Sequence, residues 1–176
     1  MTLRDRALSL VPGDGIVVRR PRTLVWAAHS DRAAAVLQDI VDAAEQTAAA
    51  EGPPGRRLLR RLAGVVSAAE PDDVPAFAAV ADTDDGLAVM VVGEVDVHVV
   101  GPTGDTEVLR GRDAATWVDR IVDAKTRSVT VVPTGTAPPP PDPWSDLREG
   151  TARAGGVVLA LQGAAAAAAP APAAPA

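Results

Sequence analysis

DVPAFAAVADTDDGLAVMVVGEVDVHVV, residues 73–100, changes character halfway along. Residues 76–81 and 86–92 are almost wholly apolar, as strands covered on both faces would be. Past Gly93 strict alternation sets in, with Val95, Val97 and Val99 on one face and Glu94, Asp96 and His98 on the other. A strand written that way has one face on a core and one in water. Asp85-Gly86 supplies the backbone freedom that a tight hairpin turn needs. The stretch predicts a β-meander in a sheet partly covered by helices. It offers no nucleophile, no acid/base pair and no metal cluster.

Upstream, residues 16–19 and 23–28 read as two strands joined by Arg20-Pro21-Arg22, after the turn Pro12-Gly13-Asp14-Gly15. Ser30 is placed to cap a helix over residues 31–50, in which Val36, Leu37, Ile40, Val41 and Ala44 form one apolar stripe. Gly52-Pro53-Pro54-Gly55 cannot continue it. A second helix, residues 56–69, turns Leu58, Leu59, Leu62, Val65 and Val66 inward and sets Arg56, Arg57, Arg60 and Arg61 on its other side. Pro71 closes it.

Downstream, a turn at residues 101–105 leads into a return strand over 106–109. Asp113 reads as the cap of a third helix, residues 114–122, with Trp117, Val118, Ile121 and Val122 buried. Residues 128–132 and 156–161 are β-branched or apolar runs of strand length, separated by a proline-rich extended loop at 138–143. After Gly163 the chain is alanine and proline only, the composition of a linker or disordered tail over residues 163–176. The order of elements predicts an α+β domain over residues 1–162 with a mostly antiparallel sheet.

Composition narrows the function classes. A chain of 176 residues can bury a core without staples, and it has no cysteine for disulfides, thiolate zinc sites or catalysis. A formal net charge of −6 argues against nucleic acid as a partner, and one phenylalanine, three tryptophans and no tyrosine leave few stacking platforms. The start, MTLRDRALSLVPGDG, lacks an apolar run of signal-peptide length, and no run approaches the ~20 residues of a membrane helix. A cytoplasmic protein with protein partners, no cofactor and no membrane insertion is expected. The abundant Ala, Arg, Val and Pro beside a single Lys suit a GC-rich genome.

Asp82, Asp84, Asp85 and Gly86 echo a calcium loop, but Val89, Met90 and Val91 stand where further oxygens would be required, so a solvated turn is the better reading. The arginine cluster suits an anionic partner, although long basic side chains also routinely clothe helix surfaces. His29 and His98 have no companion at ligand spacing. No serine sits in a Gly-x-Ser-x-Gly elbow, and no phosphate-binding loop occurs. Trp117 and Trp144 read as a core and a loop anchor. No catalytic, cofactor-binding or metal-binding residue is assigned.

Four stretches, RDRALSLVPGDGIVV (4–18), DVPAFAAVADTDDGLAVMVVG (73–93), LRGRDAATWVDRIV (109–122) and DLREGTARAGGVVL (146–159), together resemble the N-terminal region of actinobacterial forkhead-associated (FHA) domain proteins. The resemblance implies a setting in phosphothreonine signalling. The chain lacks the Gly-Arg, Ser-x-x-His and Asn-Gly pattern of the phosphopeptide site, so that activity transfers to no residue here. In order of elements the chain is also similar to metal-dependent Ser/Thr protein phosphatases, which implies a degenerate phosphatase-like sandwich. Where those enzymes carry Gly-Asp-Ser-Arg, this sequence has Gly93-Glu94-Val95-Asp96, and their Asp-Gly-x-Gly-Gly is missing.

The expected function is a non-catalytic interaction or scaffold module, a pseudoenzyme in FHA-type signalling. Its expected partner surface combines Arg56, Arg57, Arg60 and Arg61 with Glu94, Asp96 and His98. The alternatives are a diverged phosphatase using Asp82, Asp84 and Asp96, or a structural spacer.

Overall fold

In the computed structural model, residues 2–142 and 144–161 are described. The strands are β1 (Ala7–Val11), β2 (Ile16–Arg20), β3 (Thr23–Ala27), β4 (Phe77–Asp82), β5 (Gly86–Val92), β6 (Val95–Val100), β7 (Thr106–Arg110), β8 (Val118–Asp123), β9 (Ser128–Pro133), β10 (Gly150–Arg153) and β11 (Gly156–Ala160). Two helices, α1 (Ala34–Ala48) and α2 (Gly55–Ala68), lie between β3 and β4. The expected tail at 163–176 lies outside the described residues.

All pairings are antiparallel. One sheet has six strands in the order β10-β2-β3-β4-β5-β8, the other five in the order β1-β11-β9-β6-β7. This is an α+β fold, as the meander predicts. The six-stranded sheet is the middle of three layers, and the period-two pattern shows why. In β4, Ala78 and Val80 join the core between the sheets, while Phe77, Ala79 and Ala81 join the core beneath the helices. In β5, Val89 and Val91 face the second sheet, whereas Met90 and Val92 face α1 and α2. Two buried faces require an apolar residue at every position, which is how residues 76–81 and 86–92 are written.

The helices lay Val36, Leu37, Ile40, Ala43, Ala44, Leu58 and Leu62 on that sheet. The first begins three residues later than residue 31, because Ser30 spends its hydroxyl and its carbonyl on the Ala33 N–H in a preceding turn. Elsewhere the chain departs from the sequence reading. No helix forms over residues 114–122. After a short 3-10 turn at Gly111–Asp113 the chain extends and becomes β8, paired along β5 from Gly86↔Asp123 to Val91↔Val118. VDRIVD carries both helical and alternating periodicity, and the open edge of β5, with its backbone groups in need of partners, decides between them. Two further strands, β1 and β10, escape the sequence reading because each is short and only partly apolar.

The polar face of β6 is not in water either. Asp96 is buried and His98 half-buried. The segment after β9 folds back over this side, bringing the Thr134 hydroxyl to Asp96 Oδ1 at 2.9 Å and the Asp142 carbonyl to the Ser9 hydroxyl at 2.9 Å.

Candidate functional site

The seven residues expected to form one partner surface fall on opposite outer layers. Arg56, Arg57, Arg60 and Arg61 ride on α2, whereas Glu94, Asp96 and His98 belong to the hairpin and strand of the far sheet. Two layers of strand lie between the groups. Glu94 is exposed at the β5–β6 turn, Asp96 is held by Thr134, and the His98 Nε2 is buried without a hydrogen-bond partner among the described residues. Burial pushes the His98 pKa down, with Arg110 acting the same way and Asp96 opposing both. No single site assembles from the two groups.

The arginines of α2 divide further. Arg57 donates to the Glu51 carbonyl at 2.6 Å, and Arg61 donates to the Gln46 amide oxygen of α1. Arg56 and Arg60, one helical turn apart and exposed, have no hydrogen bond or ion pair among the described residues. They rim a groove of about 480 Å³ between α2 and β8, whose floor is Leu59, Ala63, Met90, Trp117 and Ile121. The β5–β8 register explains the floor. Asp119 opposes Met90 and Ile121 opposes Ala88, so both lie on the helix side of the sheet, where α2 stops short of the edge. Arg120 points the other way and pairs with Glu107 of β7 at 3.3 Å, tying the two sheet edges together.

The acids of the enzymatic alternative are engaged elsewhere. Asp82, at the end of β4, accepts the Leu3 N–H at 3.0 and 3.2 Å and faces Arg22 Nε at 3.5 Å. Burial raises its pKa, against the lowering effects of Leu3 and Arg22. With Thr2, Arg6, Arg22, Thr83 and Asp84 it lines a polar cavity of about 160 Å³. Arg6 Nε and Thr83 Oγ1 have no partner there among the described residues, and burial lowers the Arg6 pKa against the opposing charges of Asp5 and Asp82. Asp84 and Asp85 are exposed turn residues, and His29 is exposed before α1. Asp96 lies beyond the other end of β5, a strand length of about 20 Å at the usual rise per residue. Among the described residues no three His, Asp or Glu side chains gather where they could hold a metal ion.

A third constellation closes the opposite edge. Arg19 on β2 is 1% exposed, and its guanidinium donates to the carbonyls of Leu147 at 2.6 Å, Leu3 at 2.7 Å and Arg6. The free edge of β1 is covered by side chains: Leu8 N–H donates to Asp146 Oδ1 at 3.1 Å and Leu10 N–H to Ser145 Oγ at 2.8 Å. Leu147 N–H completes the lining by donating to the Leu8 carbonyl at 3.1 Å. Covering an edge this way removes a template for uncontrolled pairing. Trp144, expected as a loop anchor, stands 94% exposed while its neighbours do the anchoring. The sequence signal for this edge is the pair Arg19-Arg20 ending an apolar strand. It signals a charge to be satisfied without saying by what.

Among the described residues no helix is long and apolar enough to cross a membrane. No protein-family model, curated protein or solved structure matches the chain.

Proposed function

We propose that this chain is a non-catalytic protein-interaction module, a cytoplasmic scaffold within FHA-type Ser/Thr-phosphorylation signalling. The observation that carries the reading is the pair of guanidinium groups, Arg56 and Arg60, unpartnered among the described residues, over the apolar floor of the α2–β8 groove. Like charges one turn apart on a helix cost stability unless something answers them. A protein surface bearing carboxylates and apolar groups answers both the rim and the floor, since arginine forks bind carboxylates in bidentate fashion.

The signalling context rests on the resemblance of the four stretches to FHA-protein N-terminal regions. The enzymatic reading is disfavoured by the placement of its acids: Asp82 and Asp96 sit at opposite ends of β5, and each already has a hydrogen-bond donor. A divalent pair needs its carboxylates on both ions at once.

The test is capture of partners from source cells by the full chain and by a variant carrying Arg56→Glu, Arg57→Glu, Arg60→Glu and Arg61→Glu. Loss of the captured proteins in the variant is the expected result, and unchanged capture sinks the surface. Calorimetric titration with manganese supplies the second arm. Stoichiometric binding that disappears in Asp82→Asn would replace this reading with the enzymatic one.

A further inference from the structure

Two large apolar side chains stand exposed among the described residues, Ile121 at 42% and Trp144 at 94%. They occupy opposite edges of the molecule. Ile121 lies on β8, at one end of the six-stranded order, and Trp144 lies on the segment that lines β1, beside β10 and β2 at the other. Five strand spacings, about 24 Å, separate β8 from β10. One folded chain cannot bring the two together.

Their surroundings carry opposite charge. Arg56 and Arg60 rim the groove against a single acid, Asp119, since Arg120 turns away to Glu107. Trp144 is set among Asp142, Asp146 and Glu149; Arg148 and the buried Arg19 both answer Asp146, which leaves Asp142 and Glu149 as the acids without a cation among the described residues. We propose that the Trp144 indole of one copy seats in the α2–β8 groove of a second copy, joining chains head to tail. This deepens the reading of the arginine face as an interaction surface and rests on it.

The backbone that carries the indole is tied down on both flanks. The Asp142 carbonyl accepts from Ser9 Oγ at 2.9 Å and Asp142 Oδ1 from the Trp144 N–H at 2.9 Å. On the other flank Ser145 and Asp146 are bound to the β1 backbone. The backbone under the indole therefore has little freedom left to lose on binding, which is part of the advantage of a preorganised anchor. A groove of about 480 Å³ floored by Leu59, Met90, Trp117 and Ile121 has room for an indole. The rim arginines reach both the π-face of a seated ring and the carboxylates beside it.

Knob and groove are different surfaces, so the contact is heterologous and leaves one free knob and one free groove on every pair. Association runs on to rows or rings. One indole and its rim bury less than the ~1,200 Å² of a stable interface, so the contact is weak and concentration-dependent.

Sedimentation equilibrium of the full chain over a concentration series at low salt tests this. The average mass should rise past the dimer. Trp144→Ala, and separately Arg56→Glu with Arg60→Glu, should each weaken association at least tenfold; Arg60→Ala substitutes where the double reversal perturbs α2. The decisive arm mixes the two variants. The intact groove of one and the intact knob of the other restore a single interface, so the mixture should stop at a heterodimer. A chain monomeric throughout, association insensitive to either variant, or a mixture that stays monomeric overturns the proposal. Monomeric behaviour with partner capture still abolished by arginine reversal overturns self-association alone. Self-association with capture unchanged by that reversal overturns the signalling reading alone.

Discussion

Arg19 Nη1 donates to the carbonyl of Leu147 at 2.6 Å, across 128 residues of chain. The same buried guanidinium holds the carbonyls of Leu3 and Arg6, so β2, the N-terminal turn and the segment before β10 meet on one side chain. Asp146, 3.9 Å away, supplies the counter-charge, and Arg148 in turn bridges Asp146. A planar fork with five donors suits three carbonyls arriving from different directions, which a single ammonium does not.

Arg19→Met keeps the volume and removes the donors. The Leu3 carbonyl keeps the Arg6 N–H, but the Leu147 and Arg6 carbonyls lose the guanidinium, and each buried unsatisfied group costs about 1–3 kcal/mol. A loss on the order of 3 kcal/mol is expected in urea unfolding, with Arg19→Lys in between. A change of under about 1 kcal/mol would show that the edge closes without this side chain.

His98 makes stability fall in mild acid. Its native pKa lies below the ordinary 6.5 because burial disfavours the imidazolium. As pH drops through 6.5 the unfolded chain takes up a proton that the native chain refuses, so stability is lost until the lowered native pKa is passed. His98→Gln should flatten the dependence between about pH 7 and pH 5. A direct NMR titration placing the His98 pKa at or above 6.5 would contradict the assignment.

Asp82 has the opposite sign. Burial raises its native pKa above 3.8, so the native chain holds that proton more tightly, and the stability this confers is lost as pH rises through the native pKa. At neutral pH the ionised carboxylate remains desolvated, although Leu3 and Arg22 offset part of the cost. Asp82→Asn retains an acceptor for Leu3 and should stay within about 1 kcal/mol of the parent at neutral pH, whereas Asp82→Ala orphans the Leu3 N–H and should lose about 1–3 kcal/mol. Equal losses in both variants would mean that the charge itself stabilises the site.

Gly111 packs its backbone against the β5–β6 turn. A Cβ there would stand 2.3 Å from the Gly93 carbonyl oxygen and 2.8 Å from its nitrogen, and backbone does not yield as a side-chain tip does. Gly111→Ala should cost about 1–3 kcal/mol and shift the amide resonances of Gly93 and Glu94. A silent substitution would show that the turn has slack.

The paired Asp82 and Asp96 show how little of a site a sequence reveals. Both read as free acids, one in a solvated turn and one on a wet strand face. Both are buried, because Leu3 arrives from the N-terminus and Thr134 from beyond β9. Nothing within a few residues of either position encodes those partners.

What the sequence by itself determined is what local periodicity controls. The unbroken apolar runs of β4 and β5, of strand length and bounded by turn residues, fit strands covered twice, and the long stripes of α1 and α2 fit helices laid on such a sheet. What only tertiary structure decided is whatever depends on a distant edge. Residues 118–123 carry both periods, and the unpaired flank of β5 makes them a strand. The four arginines of α2 are equivalent in sequence, yet α1 and the residue 51 carbonyl occupy two of them and leave Arg56 and Arg60 facing the groove. Side-chain period is a property of the chain; which groups find partners is a property of the packed layers.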